Sequence, residues 1–221
     1  MSNIERTLVL IKPDGTMRRY IGIKILEELA DQKDLKILAF KELKVSKELA
    51  EKHYEVHKDK PFFDSLVEFI KVGTVIAMII EGVDAIRRIR GLFGNTFSHK
   101  AELHTIRGKY GIWGGINVVH ASDAPETASN EMRLWHNMAG LAMEDSKLVK
   151  ERIDEYTSKW DRNKKNYTSE LREICRRIVN TKDRIGHLKR EMLELLKEEC
   201  PDSSSKDVEA LVNAIAVSIL T

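Results

Sequence analysis

The texture of the chain changes near residue 136, and that change constrains the fold more than any other feature. Before it, short apolar runs alternate with helical patterns, and most of the glycines and all but one of the prolines lie there. Beyond it there is almost no strand signal. Residues 7–11, Thr-Leu-Val-Leu-Ile, read as a buried strand ended by the turn residues Lys12-Pro13-Asp14-Gly15. A helix is predicted over 21–30, a strand over 35–43, and a helix over 47–57 capped by Ser46. A second short helix covers 62–71, a strong strand 74–81, and a helix 83–90. A long glycine-containing loop over 91–115, a short strand over 116–119 and a helix over 124–135 complete the alternation. That order predicts an α/β or α+β sandwich, with a split βαβ arrangement as the simplest match.

The second texture is helical. A helix is predicted over 147–156. Residues 168–199 carry a heptad pattern through Leu171, Ile174, Ile178, Thr181, Ile185, Leu188, Met192 and Leu195. Pro201 and the serines at 203–205 break it. Val208, Leu211, Val212, Ile215 and Ile219 then mark an amphipathic helix over 207–220. This part reads as a helical appendage folded on its own core or a neighbour, or as a hairpin or coiled coil that supports oligomerisation. A basic cluster from 159 to 177 reads as a solvated helix face, because acidic residues are interleaved with it.

Composition closes off several classes. With 221 residues, 42% of them hydrophobic, the chain is no disordered or collagen-like sequence. Lys plus Arg (37) nearly balances Asp plus Glu (35), so charge gives no argument for nucleic acid or an anionic membrane as partner. Cys175 and Cys200 lie far apart without a CxxC, which suits free thiols in a reducing compartment. No apolar run reaches ~18 residues and the first residues lack a leader pattern, so a cytoplasmic protein is expected.

The segment with most chemistry is Asn117-Val-Val-His120-Ala-Ser122-Asp123. A strand delivers an imidazole to a strand–helix junction, near backbone N–H groups that favour anions. Glu131 falls on the helix that follows. Elsewhere stand Glu5-Arg-Thr-Leu-Val-Leu-Ile-Lys-Pro-Asp-Gly15, His57-Lys-Asp-Lys-Pro-Phe-Phe63 and Thr105-Ile-Arg-Gly108. There is no G-x-x-x-x-G-K-[ST], H-R-D or D-F-G, which excludes P-loop and protein kinases.

These four strings, in this order and spacing over about residues 4–136, resemble the nucleoside diphosphate kinase family. The resemblance implies an α+β fold, a ferredoxin-like βαββαβ sandwich, in a catalytic unit of residues 1–136. Residues 137–221 are then a helical extension. It implies that His120 takes the γ-phosphate from a nucleoside triphosphate and passes it to a nucleoside diphosphate, a two-step ping-pong route. A neutral imidazole suits that task because its unperturbed pKa is about 6.5. One ring nitrogen attacks, so the other must be held. The resemblance gives that role to Glu131, with Ser122 beside it. Lys12, Arg90 and Arg107 would supply cations to the phosphates, and Thr96 and Tyr54 hydroxyls. Lys12 and Asn117 would also meet the sugar, Phe62 would stack on the base and Leu66 would line the same cleft. Stacking reads a π-face that every base has, so broad base specificity follows. Mg²⁺ would bridge the phosphates and keep mostly water ligands, without a dedicated protein site. His53 and His57 are spaced i, i+4 and could chelate a metal, but two histidines alone do not make a site and no metal is expected on them.

The chain departs from the family's pattern in its loop. Thr96-Phe-Ser-His-Lys-Ala-Glu-Leu-His104 lacks two prolines common there, a loss that predicts a looser loop. Ile116 replaces the usual Arg before Asn117. Gly114 stands where an aliphatic residue commonly faces Phe62, and Trp113 is a candidate for that missing wall. The resemblance implies a homo-oligomer built on a dimer, and the altered loop leaves the hexamer open. Two alternatives also stay open: a catalytically weakened nucleotide-binding scaffold whose extension binds a partner, and an enzyme narrowed in base preference.

Overall fold

The computed structural model of the chain describes residues 4–160, 165–181 and 185–220. Strand β1 (Ile4–Ile11) passes through the single turn α1 (Pro13–Thr16) into α2 (Arg19–Ala30) and strand β2 (Leu35–Lys44). Helices α3 (Lys47–His53) and α4 (Phe63–Ile70) lead to β3 (Thr74–Val83) and α5 (Ala85–Phe93). Then come α6 (Ile106–Tyr110), β4 (Val119–Ala121) and α7 (Pro125–Ala139). Helices α8 (Ser146–Lys159), α9 (Thr168–Thr181), α10 (Ile185–Glu199) and α11 (Ser205–Leu220) complete the chain.

The strands form one sheet in the order β2-β3-β1-β4, and each neighbouring pair is antiparallel. With β3 inserted between β1 and β2, this is the expected ferredoxin-like split βαβ. Period-2 alternation sends side chains to two faces. On one, Val9, Ile11, Ile76, Met78 and Ile80 pack against α2, α5 and α8. On the other, Leu8, Leu10, Ala39, Val75, Ala77 and Ile79 pack against α3, α4 and α7. Apolar area buried in these two layers stabilises the fold by ~25 cal/mol per Å².

The C-terminal helices make a third apolar cluster. Leu171, Ile174, Ile178, Leu188, Met192, Leu211 and Ile215 bury one another, together with Met17, Phe69, Ile112 and Ile116 of the preceding unit. The heptad apolar positions are thus used within the chain, in α9 and α10 folded back on one another, and Thr181 is exposed. The basic cluster at 159–177 lies partly outside the described residues. Within them, Lys159, Lys165, Arg176 and Arg177 pair with Glu155, Glu198, Glu173 and Glu191.

Three local expectations need correction. The loop predicted over 91–115 is partly helical: α5 runs on to Phe93, and α6 forms behind an N-cap in which Thr105 Oγ1 accepts from the Gly108 N–H at 3.1 Å. Gly108 inside α6 conceals it, since glycine weakens a helical pattern. The strand predicted over 116–119 is formed by Val119–Ala121 instead. Ile116 turns back to bond with Trp113, and Val118 adopts a left-handed backbone (φ 62°) that interrupts extension. The helix predicted over 47–57 stops at His53 and tightens into a 3₁₀ turn at Glu55–His57.

Candidate active site

His120 sits on the edge strand β4 opposite Leu10, so its side chain emerges on the α3/α7 face of the sheet. Its Nε2 lies 3.1 Å from both Oε1 and Oε2 of Glu131 on α7. Ser122 Oγ donates to Glu131 Oε2 at 2.6 Å. Burial acts to raise the Glu131 carboxyl, but the His120 hydrogen bond and charge and the Ser122 hydroxyl outweigh it and hold the group at about 2. An ionised carboxylate only accepts, so Nε2 carries the proton and donates. Nδ1 is left as the lone-pair nitrogen. His120 and Glu131 are eleven residues apart in sequence.

A layer behind this pair was not legible as such in the sequence. His53 of α3 packs edge-on against His120, with ring centroids 4.7 Å apart. Trp135, fully buried on α7, donates its Nε1–H to His53 Nδ1 at 3.3 Å. Burial drives the His53 imidazole down to about 3, with the neighbouring His120 adding to the effect, so the ring stays neutral. His53 therefore combines not with His57 but with His120 and Glu131, whose ligand-type atoms all lie within 4.8 Å. The carboxylate that the i, i+4 reading lacked comes from α7. Trp135, four residues after Glu131 and so on the same helix face, was the available signal. Tyr54 is buried next to His53, and burial followed by the Glu131 and Asp14 charges pushes its hydroxyl up.

The cations converge from three other elements. Lys12, only 4% exposed, donates Nζ to Gly115 O at 2.6 Å and lies 5.0 Å from the Phe69 ring centroid. Burial lowers its pKa to about 8; Asp14 opposes that and Arg107 reinforces it. Arg107, on α6, is held by Gly94 O (2.8 Å) and by Val119 O (3.1 Å), the residue before His120. Burial, then the nearby Arg90, lowers its guanidinium to about 10. Arg90 itself is exposed at the end of α5, with Nη1 3.4 Å from Ala121 O. Asn117 Nδ2 donates to Thr96 O at 2.6 Å, while its buried Oδ1 has no partner among the described groups.

The turn that carries Lys12 also fixes the strand that carries His120. Lys12 N–H donates to Val118 O at 2.8 Å, and Val118 N–H donates to the buried Asp14 Oδ2 at 2.9 Å. Left-handed backbone is costly for a β-branched residue, about 1–3 kcal/mol. Here it is held from both sides, one residue before β4. Asp14 read only as turn chemistry in sequence; its work is to hold this bend. Phe62 is 39% exposed just ahead of α4, 5.7 Å from the His57 ring, and Leu66 is half-buried against the cluster containing Tyr54. Trp113 stacks on His99 at 4.7 Å and packs against the C-terminal cluster.

A partly buried, ionised Glu131 bonded to a histidine, beside clustered cations on a βαββαβ sheet, places the chain in the ferredoxin-like α+β class with a candidate anion-handling site. Comparison with known proteins is more specific. The family model "Nucleoside diphosphate kinase" matches residues 5–140, and the chain belongs to that family. The nucleoside diphosphate kinase of Synechococcus elongatus is 45% identical over 139 residues, 63% of this chain and 92% of that protein. That of Prochlorococcus marinus is 50% identical over 139 residues, with 63% and 91% covered. Among solved structures, the Aquifex aeolicus nucleoside diphosphate kinase superimposes with a TM-score of 0.58 at 37% identity, covering 63% of this chain and all of that one. The Halobacterium salinarum enzyme in complex with CDP gives a TM-score of 0.59 at 42% identity, covering 65% and 94%. The match ends where α7 ends, so α8–α11 lie beyond it.

Proposed function

We propose that the chain is an active nucleoside diphosphate kinase that transfers the γ-phosphate of a nucleoside triphosphate to a nucleoside diphosphate through a phosphohistidine at His120. The observation that carries this is the His120–Glu131–Ser122 relay. With Nε2–H held by an ionised Glu131, the Nδ1 lone pair attacks the γ-phosphorus. The bond from phosphorus to the β,γ-bridging oxygen breaks, and the nucleoside diphosphate leaves with that electron pair. The ring becomes positively charged, and Glu131 stabilises it. A β-phosphate oxygen of the second nucleotide then attacks, the Nδ1–P bond breaks and the ring is neutral again.

Lys12, Arg90 and Arg107 neutralise phosphate oxygens, and Thr96 and Tyr54 offer hydroxyls to them. An anion beside Lys12 favours its charged form and so restores what burial removes. Asn117 Oδ1, unpartnered here, is a ready acceptor for a sugar hydroxyl. Phe62 is exposed enough to stack on a base, with Leu66 behind it, which supports broad base specificity. Mg²⁺ belongs with the substrate: Glu131 is taken by His120 and Ser122, and Asp14 is buried on Val118 N–H, so phosphate and water oxygens would be its ligands. Bound there, it neutralises phosphate charge.

Residues 1–136 form the catalytic unit on this reading, and 137–221 the helical addition, in a dimer-based homo-oligomer. The two free, buried cysteines suit the cytoplasm. The test is incubation with Mg²⁺ and γ-labelled ATP, with His120→Ala alongside. Acid-labile, base-stable label on wild type alone, discharged by added nucleoside diphosphate, is the expected result. A folded wild type that binds nucleotide yet takes no label would overturn it, and the scaffold reading would replace it.

A further inference from the structure

Helix α6 carries Arg107 and is only five residues long. A helix that short leaves most of its terminal carbonyls without intrahelical partners. Here the C-terminal helices supply them. Arg172 of α9 donates Nη2 to Arg107 O at 2.9 Å, Nη1 to Gly108 O at 2.8 Å and Nε to Gly111 O at 2.9 Å. Arg18 donates Nη1 to Tyr110 O at 2.9 Å. Arg18 is in turn gripped by Glu199 at the end of α10, with Nε–Oε2 2.8 Å and Nη2–Oε1 3.1 Å, and by Thr168 Oγ1 at 2.6 Å. Two guanidiniums, one from the extension and one held by it, thus cap the end of α6.

From that helix, Arg107 reaches Val119 O beside His120. Arg172 cannot drift, because its helix is locked by the buried Leu171, Ile174 and Cys175. A second seat lies nearby. Gly114 (φ 51°) lies so close to α11 that a Cβ there would stand 2.5 Å from Ser218 Oγ, and the next residue, Gly115, accepts from Lys12. The extension therefore abuts the two segments that hold the buried cations of the site.

We infer that Arg172 is a positioning residue for phosphoryl transfer: it fixes α6 so that Arg107 stays aimed at the phosphate, which makes the C-terminal unit part of the catalytic device. This rests on the reading of Arg107 as a phosphate ligand. A misplacement of about 1 Å remote from the chemistry can cost a hundredfold in rate. For the loss of one of two caps, a drop of about tenfold is expected.

The test is a double-mutant cycle in the full chain with Arg172→Gln, Arg107→Ala and the double variant, read as kcat/KM for phosphoenzyme formation from MgATP. Arg172→Gln should lose about tenfold in wild type and less than about twofold once Arg107 is absent. Arg172→Lys, which keeps one donor group and the charge, should recover part of the loss. Unchanged kcat/KM in Arg172→Gln, or the same loss with and without Arg107, would overturn the inference and leave the extension as packing alone. Wild-type activity in Arg107→Ala would instead remove the underlying reading and the inference with it. If circular dichroism shows Arg172→Gln unfolded, Arg172→Lys carries the same cycle, and its loss must again vanish without Arg107.

Discussion

The α+β unit and the three last helices both bury charge, but to different ends. In the first, Glu131 is partly buried, at 13% side-chain exposure, against a histidine that stays 25% exposed, so the pair remains open to solvent. Where the second meets the first, Arg18 of the α+β unit and Glu199 of α10 are buried to 0% and 1% side-chain exposure and bond one another together with Thr168 and the Tyr167 N–H. One arrangement leaves Nδ1 without a protein partner among the described residues, and the other engages all three guanidinium nitrogens of Arg18 with protein groups. The difference teaches what each region is for. An unsatisfied polar atom in a packed core is costly, and two of them, His53 Nε2 and Asn117 Oδ1, lie in the candidate site, whereas the bonded groups of Arg18 and Glu199 form a joint.

Three experiments sharpen or break that contrast. The largest effect is expected for Glu199→Ala. It leaves the Arg18 guanidinium buried without its counter-charge and should cost about 3–5 kcal/mol of stability in urea unfolding. A loss below about 1 kcal/mol would mean that the C-terminal helices are not joined to the core through this pair.

Next, Glu131→Gln should lower phosphoenzyme formation about a hundredfold, because the amide no longer fixes the His120 tautomer. The same variant tests the low Glu131 pKa. A carboxyl held at about 2 when folded, against its ordinary 4.5, contributes stability above pH 4.5 that is lost as pH falls from 4.5 toward 2. The stability gap between wild type and Glu131→Gln should accordingly narrow across that window in parallel urea titrations. A constant gap would show that Glu131 is not held ionised.

The smallest effect is expected for Trp135→Phe. Removing the indole N–H that His53 Nδ1 accepts should cost about 1 kcal/mol in thermal unfolding. If phosphotransfer falls by more than about threefold alongside, His53 takes part in the site's function as well as its packing.

Much of this organisation is legible in the amino-acid order. The runs around Leu8–Leu10 and Val75–Ile80 specify strands because they are too apolar to be exposed on both faces, and the change near residue 136 marks where strands end. His120, Lys12, Arg107 and Asn117 stand in strings that point to the family, and Glu131 on the helix that follows. The α6 helix and the bend at Val118 were not legible, and the fold-back of α9 on α10 stood only as one of several alternatives. Each depends on a partner remote in sequence: Arg172 and Arg18 for α6, Asp14 for Val118, and the apolar surface around Phe69 and Ile112 for the last helices.

The sequence by itself determined the βαββαβ order, the histidine at the strand–helix junction and the family, because those rest on local pattern and on residues close along the chain. Only the tertiary structure decided which nitrogen of His120 is available, that His53 and Trp135 stand behind it, and that Arg172 and Glu199 brace the helix of Arg107. Hydrogen bonds between groups brought together from distant positions have no period and no spacing for a sequence to display.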